Sequence, residues 1–176
     1  SEFNNFNKSI INYKKYLKFD PNSKNGLLNL AIATQSIGEI QAAKDIYLKL
    51  INLDENIIRA YYGLLMLDIN FLKGKHYSCI EQIKKNDGLS LYEKSLINFI
   101  LARREKNNKN HKKEIEYLKK FNENSFNSNY AYNQTSQFYY EKIINNFFDK
   151  IKFKDSRKTL EQKNNLLPIF IIGLPR

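Results

Sequence analysis

Between residues 25 and 56 the apolar positions fall into two helical stripes. Leu27, Leu30 and Ala31 share one face of a first helix. Gly38 and Glu39 break that period, and Ile40, Ala43, Ile46, Tyr47 and Leu50 start another. Asp54, Glu55 and Asn56 close it, so the segment predicts a helix-turn-helix unit. The unit recurs. Leu30-Ala31 is followed by Leu64-Leu65 and then by Leu101-Ala102. Ser9, Ala43, Cys79 and Glu114 take one place in successive second helices, at steps of 34, 36 and 35 residues. Tyr13, Tyr47, Ile83 and Leu118 each follow four residues later. A repeat of this length is the mark of a stacked helical array, in which no hairpin can bury its apolar stripe alone.

The array is expected over residues 1–123, as a half repeat over 1–22 and then about three repeats. The half repeat is a second helix only and stops at Asp20-Pro21, because proline cannot continue a helix. Residues 124–165 read as a connecting segment. Within this part of the chain, 122–129 is rich in Asn and Ser and predicts a loop. Residues 130–153 predict a helix with a broad stripe that includes Phe138, Ile143, Phe147 and Ile151. A polar loop is expected over 152–165. Residues 166–172 form a short, continuous, β-branched run, which is how a strand buried on both faces of a parallel sheet reads. Gly173, Leu174, Pro175 and Arg176 follow it. The expected fold is therefore an all-α superhelical array followed by the first strand of an α/β domain.

Composition narrows the functional classes. Of 176 residues 42% are hydrophobic and 14% aromatic, enough for a packed core and unlike the aromatic-poor signature of disorder. The single cysteine, Cys79, excludes an internal disulfide framework and favours a reducing, cytoplasmic setting. It occupies a small contact position, so a buried structural thiol is expected. The net charge of +11 is mostly lysine dispersed among polar residues. Arginine, the residue of planar phosphate and base recognition, is scarce, so solvated helix faces are expected rather than a nucleic-acid surface. No stretch is long and apolar enough to cross a bilayer. The opening Ser-Glu-Phe, without Met, leads us to expect residues upstream. His76 and His111 each fall where a second helix opens and read as surface residues; no Cys/His cluster points to a metal.

The spacing near 34, with Leu30, Ala31, Ala43, Tyr47 and Leu50, and with Ser9, Tyr13 and Pro21 in the half repeat, resembles the tetratricopeptide repeat. Glu114, where that family has a small residue, and the extra residues before Gly74 depart from its pattern. The resemblance implies a concave face that takes a protein or peptide partner. A second resemblance lies in Pro168-Ile169-Phe170-Ile171-Ile172-Gly173-Leu174-Pro175-Arg176, which is similar to the opening of the 5′-phosphosulfate-binding loop of sulfotransferases. In that family Gly-x-Pro-Arg is followed by Ser-Gly-Thr. The repeat arm followed by an aromatic-rich connector resembles the tetratricopeptide-repeat sulfotransferases, whose catalytic half is similar to protein-tyrosine sulfotransferases.

The resemblance implies an enzyme that transfers a sulfuryl group from 3′-phosphoadenylyl sulfate (PAPS) to a hydroxyl, with protein tyrosine a candidate acceptor. It assigns cofactor contacts to Gly173, Leu174, Pro175 and Arg176, and a catalytic role to Arg176. It implies that the chain stops inside the loop and is inactive alone, and that the arm recruits substrate, braces the catalytic half or forms a homodimer. Two other readings stand beside it: a non-enzymatic adaptor that uses the repeat groove, and a Walker A loop opening at Gly173.

Overall fold

The computed structural model describes residues 2–144, and these are helical throughout apart from short turns. Seven helices belong to a compact unit that ends at Tyr130: α1 (Glu2–Phe19), α2 (Lys24–Ser36), α3 (Ile40–Leu53), α4 (Ile58–Leu67), α5 (Gly74–Ile83), α6 (Leu91–Asn107) and α7 (His111–Ser128). A second unit begins at Ala131. Its described part is the body of α8 (Tyr130–Phe138) and a π-helical turn, Tyr139–Ile144. The expected strand over 166–172, the polar segment before it and the end of the expected connecting helix lie outside the described residues.

The turns explain the hairpins. Gly38 stands at φ 85°, a left-handed conformation that costs glycine little, and separates α2 from α3. Asp54 ends α3 in extended backbone, and its Oδ1 accepts from the Asn56 N–H at 2.9 Å. Asp68 and Asn70 repeat that arrangement after α4. Ser90 opens α6 with a reciprocal cap. Its hydroxyl accepts from the Glu93 N–H at 3.2 Å, and the Glu93 carboxylate accepts from the Ser90 N–H at 2.9 Å. Ser90→Ala is expected to cost about 1 kcal/mol, read as a lower urea midpoint with an unchanged slope.

Short connections place neighbouring helices side by side. α1 packs on α2, α2 on α3, α3 on α4, α4 on α5 and α6 on α7, while α2, α4 and α6 also adjoin in turn. The core follows this contact chain. Leu27 and Ala31 of α2 are buried, with Ala43, Tyr47 and Leu50 of α3, Tyr61 and Leu64 of α4, Ile80 and Ile83 of α5, and Ile97, Ile100 and Leu101 of α6. Ala43 is 0% exposed, as a small residue at a helix crossing must be. A polar bridge ties α5 to α6: Arg104 donates to Glu81 at 2.9 Å and to the buried Glu105 at 3.0 Å.

Several expectations change here. Residues 122–129 are not a loop, because α7 runs to Ser128. The segment holds no glycine or proline to stop the helix, and Phe121 anchors its start by packing on Phe99, with ring centroids 5.2 Å apart. Ile40, placed on the apolar stripe of α3, is half exposed. Cys79 is only partly buried, with its Sγ 4.0 Å from Glu55 Oε2. His111 is exposed, but His76 is not a free surface residue. Its ring lies 5.7 Å from Phe71 and edge-on to Tyr61 at 6.3 Å, and its Nδ1 accepts from the Lys73 N–H. Glu114, the residue out of pattern, is partly covered and meets His111 at 3.3 Å.

Asp54 also carries a stability prediction. The Lys24 ammonium, 2.6 Å away, and then the Asn56 N–H hold its carboxyl below the usual carboxylate range. A depressed native pKa gives stability that is present above the unfolded value, about 3.9, and is lost as pH falls through the native value. The advantage of the wild type over Asp54→Asn at pH 7 is therefore expected to shrink below about pH 4, followed by urea unfolding at each pH.

Candidate functional site

The three first helices of the hairpins turn equivalent faces toward one depression. From α2 come Leu28, Ile32, Gln35 and Ser36; from α4, Arg59, Tyr62, Gly63 and Met66; from α6, Tyr92 and Leu96. The spacings of three, four and seven are those of a single helical face. Together they line a cavity of about 400 Å³, within the range of sites that take a small ligand or a peptide side chain. The floor is apolar and buried at Leu28 and Leu96. The rim is apolar too, with Ile32 39%, Met66 52% and Tyr92 47% exposed.

Tyr47 reaches this cavity from α3 because Gly63 has no side chain. A Cβ on Gly63 would stand 2.3 Å from the Tyr47 ring, inside any real contact. The phenol donates to Gln35 Oε1 at 2.8 Å, which fixes the carboxamide at the cavity wall. Burial pushes the Tyr47 phenol up to about 12, and the Arg59 guanidinium opposes the rise. Tyr62 is raised by burial and then by Tyr92, with Arg103 opposing. Its ring meets Phe99 edge-on at 5.7 Å, and Arg103 lies over the Phe99 face at 4.8 Å.

Charge is one-sided here. Among the described residues no carboxylate lines the cavity. Arg59 is exposed, and among the described residues neither it nor Arg103 makes an ion pair. Arg104, by contrast, is matched by Glu81 and Glu105. An unmatched guanidinium beside an apolar floor is chemically suited to a carboxylate that carries a hydrophobic neighbour.

Tyr61 lies on the other side of α4 from Tyr62 and is core, 0% exposed. Among the described residues its buried hydroxyl makes no well-formed hydrogen bond, and burial first, then the nearby Cys79 thiol, raise its pKa. Among the described residues no three His, Cys, Asp or Glu side chains converge to hold a metal. No helix there is long and apolar enough to cross a membrane.

Gly173, Leu174, Pro175 and Arg176, the expected cofactor contacts, lie outside the described residues. The groove residues Gln35, Arg59, Met66 and Tyr92 were not singled out by sequence. Their common signal is an i, i+3, i+4, i+7 row opposite the core stripe, which becomes legible only once the first helices are known to adjoin. No protein-family model matches the chain, and neither a curated protein nor a solved structure matches it.

Proposed function

We propose that the chain is the tetratricopeptide-like repeat arm, and the start of the catalytic domain, of a PAPS-dependent sulfotransferase. The arm docks the acceptor through the groove of α2, α4 and α6. The observation that carries the docking role is the pairing of an apolar floor with Arg59 in a cavity that no carboxylate lines. A protein acceptor would present an apolar side chain to Leu28 and Leu96 and a carboxylate to Arg59. The 34-to-36-residue spacing and the stacked hairpins support the repeat reading. The Gly173-Leu174-Pro175-Arg176 run after a β-branched segment supports the enzymatic one. In that reaction the acceptor oxygen attacks sulfur, the bond from sulfur to the phosphate oxygen breaks, and adenosine 3′,5′-bisphosphate leaves. Backbone N–H groups after a strand, with Arg176, would meet the charge on the departing phosphate.

A non-enzymatic adaptor shares the groove and lacks the chemistry. The groove experiment uses peptides that pair an acidic residue with a large apolar one. Arg59→Gln is expected to weaken binding by about five- to tenfold, the loss of about 1–1.4 kcal/mol that a solvent-exposed hydrogen-bonded contact contributes. Added salt should weaken the wild type more than the variant. Equal affinities of the two proteins in titration calorimetry would remove Arg59 from the site.

A further inference from the structure

A second cavity, of about 220 Å³, lies away from the groove. It is smaller than the usual range for organic ligands, about 300–1,000 Å³, and suits a single small group. Its lining brings together Lys84, Lys94 and Lys120 with Asn98 and Asn124, around an apolar base of Leu89 and the buried Ile97. The two main walls repeat one pattern. Lys94 and Asn98 lie one turn apart on α6; Lys120 and Asn124 lie one turn apart on α7. The tightly packed α6–α7 hairpin thus sets two Lys-x-x-x-Asn rows around one space. Lys84, just past the end of α5, supplies the third ammonium.

Among the described residues no carboxylate lines this cavity. Lys84 has Glu81 at 3.8 Å on its far contact and sits over the Tyr117 ring. Lys94 is partly buried, and neither it nor Lys120 makes an ion pair among the described residues. Asn98 is 7% exposed, lines the cavity and donates to the Lys94 carbonyl at 2.9 Å, so its amide is held in place at the wall. Three lysines, one of them also paired with Glu81, and two asparagine amides around a small space suit a compact oxyanion with several acceptor oxygens. Lysine, as a point charge, suits such a group where no flat fork is needed.

We propose that this cavity binds a tetrahedral phosphate dianion, either free phosphate or the phosphate group of a small phosphomonoester. The site is independent of the groove and of the sulfuryl-transfer reading. The test titrates the full chain with inorganic phosphate, and separately with glycerol phosphate, at ionic strength held constant with sodium chloride, while the side-chain amide signals of asparagine are followed by NMR. The Asn98 and Asn124 signals are expected to shift to saturation. Lys94→Gln and Lys120→Gln should each weaken binding at least fivefold, whereas Lys15→Gln on α1 should not. Lys120 is exposed, so its variant keeps the test valid if Lys94→Gln unfolds. Tighter binding of glycerol phosphate identifies the monoester as the natural source, and tighter binding of inorganic phosphate identifies the free ion. A shift that never saturates, an equal loss in Lys15→Gln, or stronger perturbation of the same signals by duplex DNA than by either phosphate overturns the proposal.

Discussion

Tyr47→Ala is expected to destabilise the hairpin array by about 3–5 kcal/mol, the range for deleting a buried aromatic ring. Tyr47 is 2% exposed and holds α2, α3 and α4 at once. Its ring fills the notch left by Gly63, and its hydroxyl anchors Gln35 of α2 at 2.8 Å. Alanine would leave a cavity between three helices that cannot close without moving α4. The loss divides between ring and hydroxyl. Tyr47→Phe removes only the hydrogen bond, worth about 1 kcal/mol. Gly63 supplies the complementary measurement. Gly63→Ala gains helix propensity of about 1 kcal/mol but drives a methyl into the ring, an overpacking cost of about 1–3 kcal/mol or more. In the Tyr47→Ala background the methyl meets no ring, so the same substitution should become neutral or stabilising. Urea unfolding of the four proteins yields this coupling directly. Additive effects would mean that Tyr47 and Gly63 do not share the contact.

The second large effect concerns catalysis. In a protein that carries the whole catalytic domain, Arg176→Ala is expected to lower kcat by about 10²–10³, the range for removing one donor to developing anionic charge. Far-ultraviolet circular dichroism should stay unchanged, because Arg176 lies beyond the repeats in sequence. Lysine at this position should retain part of the rate, since it keeps the charge and loses the planar fork. Undiminished transfer by Arg176→Ala removes the residue from the mechanism.

The array was legible because stacked hairpins impose a period on the chain itself. Leu27, Leu30, Ala31, Ala43, Tyr47 and Leu50 announced their burial through spacing alone, and all are buried. Helix ends were harder to place. Asn and Ser are common in loops, yet without glycine or proline they ride on α7 once Phe121 is packed. The partial burial of Cys79 depends on Glu55, 24 residues earlier, and the setting of His76 on Phe71 and Tyr61. Such neighbours are tertiary facts that no local pattern contains. The groove was legible only in kind. A row such as Arg59, Tyr62, Gly63 and Met66 looks like an ordinary exposed face until α2 and α6 flank it. The phosphosulfate-loop reading rests on the residues of 168–176 themselves, which lie outside the described part.

The central claim, a repeat arm joined to a sulfuryl-transfer domain, is tested most directly by PAPS turnover. The protein translated through the codons that follow Arg176 would be assayed with ³⁵S-labelled PAPS and an acceptor protein bearing tyrosines beside acidic and apolar residues. Ser-Gly-Thr or Ser-Gly-Ser is expected directly after Arg176, with label transferred to the acceptor and slower transfer at limiting acceptor when Arg59 is changed to Gln. A stop codon or Gly-Lys-Ser/Thr at that position, with no label transferred to the acceptor, would contradict it.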